Sequence, residues 1–498
     1  MAMASAQIPE LPMRRVSMRT SLALLAALSL VLALSWAPLT AHAGRPIPAH
    51  VQVLIVGGSP AGIAAAVAAA RAGMTTLLVE PREEIGGDIT LSWLNMLDLN
   101  HGPSGEELTR GIFGRVHREL GQTFDVDHAR AVFDALVRAQ PTLTVVTRAR
   151  VAAPIMRGRT LIGIVLITER GRQRTVTADE FIDATDDASL AISTRVPFTV
   201  GREESGLDRR MQAATLVLRL AGIDYDGVRR YIRKVKGPDR IGGVDGRYAW
   251  GYGEIVRQFR PRNTRVAAYD LNLGWQSDGT VLVNSVHVFD VDGANARSLR
   301  EARAQAVAEL PQFMQFLRMR APGFANAYLV GAAPNLYVRE TRHLACLYRM
   351  EADDILEGHD FWDRVAIASY PIDLHPYIPG QMNPFRVSRR VYAIPFRILV
   401  PRGVDRLMVV GKPVGATYIA AGSLRVIPTG MAMGEAAGEA AAIAVRAGTT
   451  PMRMAQNAAL IAHLQHRLVS MGAYLPSPEQ LSAPWRHPHA RTASRPAP

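Results

Sequence analysis

The amino-acid sequence predicts an α/β fold in which a parallel sheet is interrupted by an inserted domain of mixed α+β structure. Three observations lead to this prediction. An apolar strand, a glycine-rich turn and an alanine-rich helix follow one another within residues 51–72. Further apolar strands end in small or acidic residues at 181–187 and at Gly411. Between these segments, residues 266–291 contain two alternating strands joined by a turn, which is typical of an antiparallel hairpin.

The composition is that of an ordered globular protein. Of the 498 residues, 48% are hydrophobic and 20% are charged, and this length allows roughly two to four domains. The net charge of +13 is spread along the chain, and all but three of the 57 basic residues are arginine. We therefore expect no nucleic-acid partner. Cys346 is the single cysteine, which excludes an intrachain disulfide, a redox-active cysteine pair and a cysteine-ligated zinc site.

Residues 1–43 have the features of a signal peptide. Arginines at positions 14, 15 and 19 precede an apolar run at 22–36, and a small-residue box follows at 41–43. This order predicts export to the periplasm or secretion, with cleavage after Ala43 and no stable membrane span in the mature chain. The arginine pair also matches part of a twin-arginine signal. The alternative is an uncleaved membrane anchor, because the apolar run approaches the ~20 residues that span a bilayer.

The first part of the predicted sheet lies between residues 51 and 80. Residues 51–56 are a β-branched apolar run of the kind that forms a buried parallel strand. The turn at 57–62 leads into the alanine-rich helix at 63–72, and a second strand at 75–79 ends at Glu80. This order predicts a βαβ unit that binds a dinucleotide.

Four positions of this unit define how the nucleotide is bound. Gly57 makes the tight turn, and Gly62 allows the helix, whose N-terminus faces the pyrophosphate, to pack on the strand. Ser59 stands where the pattern has its second glycine. It is small enough to keep the approach open, and its hydroxyl can add a hydrogen-bond donor. Glu80 lies at the position that binds the ribose hydroxyls. Its charge repels a 2′-phosphate, so FAD or NAD fits and NADP does not.

Later segments favour FAD over NAD. A nucleotide fold that begins at residue 51 and closes after residue 400 has a large insertion, and its far segment offers a second surface to a long cofactor. A second dinucleotide fingerprint is missing, because the turn Gly251-Tyr252-Gly253 has Val256 in place of the third glycine. We therefore expect electrons to come from an organic substrate and not from a nicotinamide nucleotide bound to its own domain.

These motifs resemble those of the FAD-dependent oxidoreductases of the glutathione-reductase structural type. The resemblance covers residues 51–446, and its motifs stand in family order at 57–62, 86–87, 181–187, 339–343, 392–397 and 422–438. The fingerprint and the resemblance together assign the FAD contacts to Gly57, Ser59, Gly62, Glu80, Gly86, Gly87, Val151, Ala184, Thr185, Gly411 and Arg425. Three residues depart from the family pattern: Asp186 and His343 replace a glycine and an arginine, and Lys412 replaces the arginine that usually follows Gly411.

The predicted domains follow from this order. The FAD-binding domain is discontinuous and comprises residues 44–200 and 370–450, and the substrate domain comprises residues 201–369. In the substrate domain we expect the hairpin at 266–291 and a helix at 296–319 that is interrupted at Pro311. A helical extension at 451–483 and a disordered tail at 484–498 complete the chain.

Two groups of residues are candidates for substrate chemistry. Asp373 and His375 lie on the same side of an extended segment, where His375 is suited to take a proton and Asp373 to orient it; the alternative is a surface pair. Arg342 and Arg339, three positions apart with Glu340 and His343 beside them, form a cationic run at 339–343. Its functional interpretation is a group that binds an acidic substrate or stabilises reduced flavin, and its alternative is an interdomain ion-pair network.

The sequence therefore predicts an exported FAD-dependent oxidoreductase that transfers hydride between a small organic substrate and the flavin. Oxygen, a quinone or another carrier would take the electrons. The alternative is a flavin-containing binding or electron-carrier subunit in which FAD is largely structural. The 13 histidines show no metal-binding spacing, so no metal is predicted.

Overall fold

The computed structural model describes residues 46–235, 242–382 and 390–481. The predicted signal peptide with its cleavage site after Ala43 and the predicted tail at 484–498 lie outside the described residues. Within those three ranges, no helix combines the length and apolarity that crossing a bilayer requires.

The described chain alternates strands and helices in its first part and is richer in antiparallel strands in its middle. The strands, numbered in chain order, are β1 His50–Val56, β2 Thr76–Val79, β3 Leu143–Val146, β4 Ala149–Arg157, β5 Thr160–Thr168, β6 Gln173–Asp183, β7 Phe198–Val200, β8 Ala214–Ala221, β9 Gly243–Asp245, β10 Tyr248–Trp250, β11 Val266–Trp275, β12 Val281–Val288, β13 Tyr328–Ala332, β14 Arg342–Leu344, β15 Arg364–Ala368, β16 Tyr392–Pro395 and β17 Leu407–Val409. The helices are α1 Pro60–Arg71, α2 Gly111–Leu120, α3 Val126–Arg138, α4 Ser189–Ser193, α5 Tyr225–Val235, α6 Gly253–Val256, α7 Ala296–Arg320, α8 Ala352–Leu356, α9 Tyr418–Leu424, α10 Ile427–Ala447, α11 Pro451–Met454 and α12 Ala458–Ser470.

The first sheet has the strand order β3-β2-β1-β6-β5-β4. β1 runs parallel to both β2 and β6, so that Leu54 pairs with Leu77 on one side and with Phe181 on the other. β5 is antiparallel to the first half of β6, and β17 is parallel to the last three residues of β6. The C-terminal ends of β1, β2, β6 and β17 therefore meet at one edge. The predicted α/β fold with a Rossmann-like parallel sheet is confirmed.

Small residues allow α1 and α10 to pack closely beside this sheet. α1 is buried along almost its whole length, and α10 is buried from Pro428 to Ala444 except at one residue. A side chain at Gly434 would collide with the carbonyl oxygen of Ala61. The alanine- and glycine-rich composition of both segments is therefore explained by the distance between the two helix backbones.

The middle of the chain forms a second sheet with the order β13-β8-β12-β11-β10-β9. The predicted hairpin is present as the antiparallel pair β11 and β12. α5 and α7 cover this sheet and contribute to its apolar core through Val228, Ile232, Leu310 and Phe313.

The interruption predicted at Pro311 was wrong, because α7 runs without a break from Ala296 to Arg320. Proline removes one hydrogen bond to the carbonyl four residues earlier, which here belongs to Val307. Pro311 and Val307 are both exposed, so water can take the place of the missing donor. The helix therefore tolerates the proline on its solvent-facing side.

The chain returns to the first core earlier than residue 370, the predicted boundary. β14 pairs antiparallel with β7, with Arg342 opposite Val200. Leu344, Cys346 and Val365 then pack in the same apolar core as β1 and α1. The composition of residues 344–369 is not distinctive, so the core that they join could not be predicted from the sequence.

Candidate functional site

The turn after β1 has the close geometry that the fingerprint predicts. Gly57 has a φ of +105°, and a Cβ atom there would lie 2.5 Å from the carbonyl of Ala184. Its N–H donates to the carbonyl of Val79, so the turn is fixed to β2 as well as to the end of β6. A larger residue would push these strands apart.

Ser59 uses its hydroxyl within the protein. The residue is the N-cap of α1: its Oγ atom accepts from the N–H of Gly62 at 3.2 Å and donates to the carbonyl of Ala184 at 2.8 Å. The sequence predicted a small residue that could add a donor to the nucleotide. The structure shows instead that the hydroxyl joins the helix start to the segment after β6.

Glu80 is completely buried at the end of β2. One carboxylate oxygen accepts from the N–H of Gly58 at 2.6 Å, and both oxygens accept from the Arg82 guanidinium. The carboxylate therefore fixes the loop after β2 to the turn after β1. Its role as the ribose acid remains a prediction.

The other predicted FAD contacts surround the same turn. Gly86 donates to the carbonyl of Gly58 at 2.7 Å, and Gly87 lies over Ser59. Thr185 follows Ala184 and donates twice to the Asp183 carboxylate, whose pKa burial raises to about 6.

The more distant predicted contacts reach this region from other elements. Gly411 lies against Ala61 of α1. Val151 lies on β4, two residues beyond Ala149, whose N–H donates to the carbonyl of Glu80. The structure therefore gathers the predicted residues from four parts of the chain at one edge of the first sheet.

A buried charge cluster lies beside this turn. Lys412 Nζ is 2.7 Å from Asp88 Oδ2 and 3.2 Å from Asp186 Oδ1, and Arg82 Nη1 is 3.7 Å from Asp186. Burial opposes the charge of Lys412, but the two carboxylates outweigh this effect and raise its pKa. Asp186 and Lys412, two of the residues that depart from the family pattern, therefore contact each other.

Asp373 and His375 lie side by side, as predicted. Asp373 Oδ2 is 3.5 Å from His375 Nε2, and it also accepts from Arg425 at 3.0 Å and from the Tyr370 hydroxyl at 3.3 Å. Arg425 in turn donates to the Tyr337 hydroxyl. The arginine predicted to contact FAD is therefore bound to the predicted catalytic carboxylate.

His375 is a weaker base in the structure than its residue type implies. Burial, with a smaller contribution from Arg339, lowers its pKa to about 4. This pKa lies well below the near-neutral value that makes a histidine suited to proton transfer, on which the prediction of a base depends. At neutral pH the imidazole of His375 is therefore uncharged. The backbone N–H of His375 donates to the side-chain oxygen of Gln212.

His287 was not identified from the sequence. Its ring lies 5.8 Å from that of His375 at an interplanar angle of 24°. Its Nδ1 atom donates to the carbonyl of Ser285, since a carbonyl can only accept, and this leaves Nε2 without a proton. A single histidine in an alternating strand gives no indication in the sequence that its ring lies beside that of another histidine.

The cationic run at 339–343 is divided among different surroundings. Arg339 is buried against the Tyr337 ring at 4.6 Å. Arg342 donates instead to the backbone carbonyl of Asp187 at 2.7 Å, and His343 pairs with Glu340. The structure thus brings Arg339 near His375 but directs Arg342 to the loop after β6, and a catalytic role of Arg342 remains a prediction.

Comparison with known proteins identifies the family of the chain. The family model described as FAD dependent oxidoreductase matches residues 52–468. No curated protein matches the chain.

Among residues 46–235, 242–382 and 390–481, no group of three His, Cys, Asp or Glu side chains is placed to hold a metal.

Several solved structures are similar to the chain at low identity. A geranylgeranyl bacteriochlorophyll reductase-like protein from Thermoplasma acidophilum is 14% identical with a TM-score of 0.40, over 87% of this chain and 89% of that one. The p-nitrophenol 4-monooxygenase of Pseudomonas putida DLL-E4 is 10% identical with a TM-score of 0.43, over 87% and 89%. A myxobacterial chondrochloren halogenase is 13% identical with a TM-score of 0.39, over 86% and 84%.

Proposed function

The chain belongs to the FAD-dependent oxidoreductase family, and from this premise we propose that it is an exported flavoenzyme that transfers hydride between a small organic substrate and FAD. The proposal includes the glutathione-reductase structural type, a periplasmic or secreted location, and oxygen, a quinone or another carrier as electron acceptor. Its alternative is a binding or electron-carrier subunit with a largely structural FAD.

The residues around the turn after β1 fit the cofactor. The turn at Gly57 has no room for a side chain and leads directly into the N-terminus of α1, where the helix dipole favours a bound pyrophosphate. Glu80, at the end of β2, is the ribose acid in this proposal. Gly86 and Thr185 lie beside the same turn. When bound, FAD supplies the two-electron acceptor for the hydride.

One observation carries the proposal of an enzyme over that of a carrier. The predicted acid–base pair is linked to the nucleotide region through side chains: Arg425 binds both Asp373 and Tyr337, and Lys412 lies 5.6 Å from the Tyr337 ring. A structural flavin would not need a histidine and a carboxylate held at this place.

The proposed reaction uses His375 as the base. Its Nε2 atom faces Asp373 at 3.5 Å, so Nδ1 is the atom that takes the proton from a substrate hydroxyl or amine. The substrate C–H bond loses its electron pair as hydride, the proton goes to His375, and a carbonyl or imine remains. Asp373 orients the imidazole and stabilises the charge that it gains.

Anaerobic titration tests this function. FAD-loaded mature protein would be mixed without oxygen with a panel of small alcohols and amines, half of which also carry a carboxylate. We expect at least one class to bleach the flavin absorbance. If dithionite bleaches the flavin and no organic compound does, the carrier alternative is supported and the proposal is contradicted.

The proposed export has its own test. The N-terminal sequence of periplasmic or extracellular material should begin at Gly44, because cleavage is expected after Ala43. Full-length protein in the membrane fraction would support the anchor instead. Replacing Arg14 and Arg15 by lysine should stop export only if the twin-arginine route is used.

A further inference from the structure

Arg339 is a buried cation that forms no ion pair with a carboxylate of the described residues. Its exposed fraction is 3%, and among the described residues no carboxylate oxygen lies within ion-pair distance of it. Its Nη1 atom donates only to the carbonyl of Ala213 at 2.8 Å and the hydroxyl of Thr215 at 2.6 Å. Burial lowers its pKa to about 10, so the guanidinium remains charged at neutral pH.

The other buried cations nearby are neutralised. Lys412 is paired with Asp88 and Asp186, and Arg425 is paired with Asp373. Removing a charge from water without a partner is costly. Of Arg339, Lys412 and Arg425, Arg339 is therefore the residue beside which an anion from outside the chain would bind most favourably.

Unused hydrogen-bond donors point to the same conclusion. The Nε atoms of Arg339 and Arg425 and the Nε2 atom of Gln212 are buried and have no hydrogen-bond partner among the described residues. The exposed fractions of Gln212 and Arg425 are 3% and 7%. Gln212 directly precedes Ala213, which binds Arg339, and its other amide atom accepts from the N–H of His375. Donors without acceptors suit a ligand that has several acceptor oxygens and a negative charge.

We propose that the substrate carries a carboxylate, which Arg339 binds with the help of Gln212, close to the carbon from which hydride leaves. This proposal rests on the proposed hydride transfer and specifies the class of its substrate as small hydroxy or amino acids. Arg339 and Gln212 are then binding residues, and His375 beside Gln212 takes the proton.

Binding of such an anion would also change His375. The charged and titratable groups that act on His375 are Arg339, Arg425, Asp373 and His287. The charge of Arg339 contributes to the low pKa of His375, and a carboxylate beside Arg339 offsets this contribution. The substrate would therefore make the base stronger when it binds.

The test uses FAD-loaded mature protein, with acetate and butyrate as probes and acetamide and butyramide as neutral controls of similar shape. We expect the two carboxylates to perturb the visible spectrum of the oxidised FAD in a saturable way. The two amides should leave the spectrum unchanged. A spectrum that does not respond to carboxylates, or that responds equally to amides, would overturn the proposal.

Variants of the chain assign the effect to Arg339. Arg339→Met should weaken carboxylate binding at least tenfold, and Arg339→Lys should weaken it less. Arg303→Met is the matched control, because Arg303 also donates to backbone carbonyls, at Ala332 and Ala333. Parental affinity in Arg339→Met, or an equal loss in Arg303→Met, would contradict the proposal.

A second variant covers the case in which Arg339→Met does not fold. Gln212→Glu keeps an oxygen for the N–H of His375 and supplies Arg339 with a carboxylate from the chain itself. We expect this variant to fold and to lose carboxylate binding. Parental binding in Gln212→Glu would show that the anion site lies elsewhere.

The alternative role of Arg339 is to stabilise the negative charge of the reduced flavin. The midpoint potential of the flavin distinguishes this role from binding of a substrate carboxylate. A lower potential in Arg339→Met with unchanged carboxylate affinity would assign Arg339 to the reduced flavin and overturn the proposal.

Failure of the hydride function has a different signature: carboxylates would still bind, but no alcohol or amine would reduce the flavin. Neutral alcohols that reduce the flavin, together with an absence of carboxylate binding, would contradict only the present inference.

Discussion

The Nζ atom of Lys412 lies 3.2 Å from the Oδ1 atom of Asp186, so two residues that depart from the family pattern form an ion pair with each other. Asp88, 2.7 Å from Lys412, is the second carboxylate that contacts this lysine, and Arg82 lies 3.7 Å from Asp186. The replacement of a glycine by Asp186 therefore adds a charge that Lys412 compensates. The two departures form one feature of the site.

Removing Lys412 should destabilise the protein strongly. Lys412→Met leaves two carboxylates close together, and breaking a buried pair costs about 3–5 kcal/mol of unfolding free energy. The double variant Lys412→Met/Asp186→Asn should lose less than the sum of the single variants. Urea unfolding measures these values. Arg148→Met, which breaks only exposed ion pairs with Glu83 and Glu169, is the control and should change stability by less than about 1 kcal/mol. Additive losses in the double variant would refute the coupling.

Glu80→Gln should weaken FAD binding by roughly ten- to a hundredfold. The substitution keeps an acceptor for Gly58 but removes the charge that strengthens hydrogen bonds to the ribose, which is worth about 1.5–3 kcal/mol. Fluorescence titration of the FAD-free protein gives the affinity. Glu83→Gln, three residues further on and exposed, should bind FAD like the parent. Equal affinities for all three proteins would show that Glu80 serves only to fix the turn.

Replacing Ser59 tests its role as a helix cap. Ser59→Ala removes the oxygen that accepts from Gly62, which should cost about 0.5–2 kcal/mol of unfolding free energy, whereas glycine at an N-cap costs only a few tenths. Ser59→Gly would also restore the usual fingerprint. Thermal unfolding of both variants gives the comparison. If both lose the same stability, capping is not what the serine contributes.

Glu435 should make the stability of the protein depend on pH. Burial raises its pKa from 4.5 to about 7, although its carboxylate accepts from the N–H of Ile112. Because the folded state holds the proton more tightly, the associated stability is present below pH 4.5 and is lost as the pH rises through about 7.

The difference in unfolding free energy between the parent and Glu435→Gln isolates this effect. It should fall by on the order of 3 kcal/mol from about pH 4 to about pH 8, since each pKa unit corresponds to about 1.4 kcal/mol. Denaturant unfolding at a series of pH values measures it. A difference that does not change with pH would mean that Glu435 keeps an ordinary pKa.

Local patterns were enough to predict β1, the turn after it, α1 and β2. The strand, turn and helix at 51–72 are adjacent in the chain, and the acid at Glu80 follows at a fixed distance. The hairpin of β11 and β12 has the same local origin. Elements whose hydropathy and turn residues agree can be identified without knowing their neighbours.

The partners of the charged residues could not be predicted in the same way. Arg339 and Arg342 are three positions apart, but the first binds Ala213 and the second binds Asp187. The ring contact between His287 and His375 likewise joins β12 to the loop that follows β15. These contacts depend on how the two cores meet, and neither periodicity nor motif spacing contains that information.

The rate of flavin reduction in His375→Asn tests the central claim most directly. Asparagine keeps a similar size and polarity but cannot act as the base, and a positioned base contributes about 10²- to 10⁴-fold to a rate. Anaerobic rapid mixing with the fastest-reacting compound of the alcohol and amine panel should show a decrease of that size. FAD content and spectrum should match the parent, and the exposed His463→Asn should react at the parental rate. Reduction of His375→Asn at the parental rate would contradict the account.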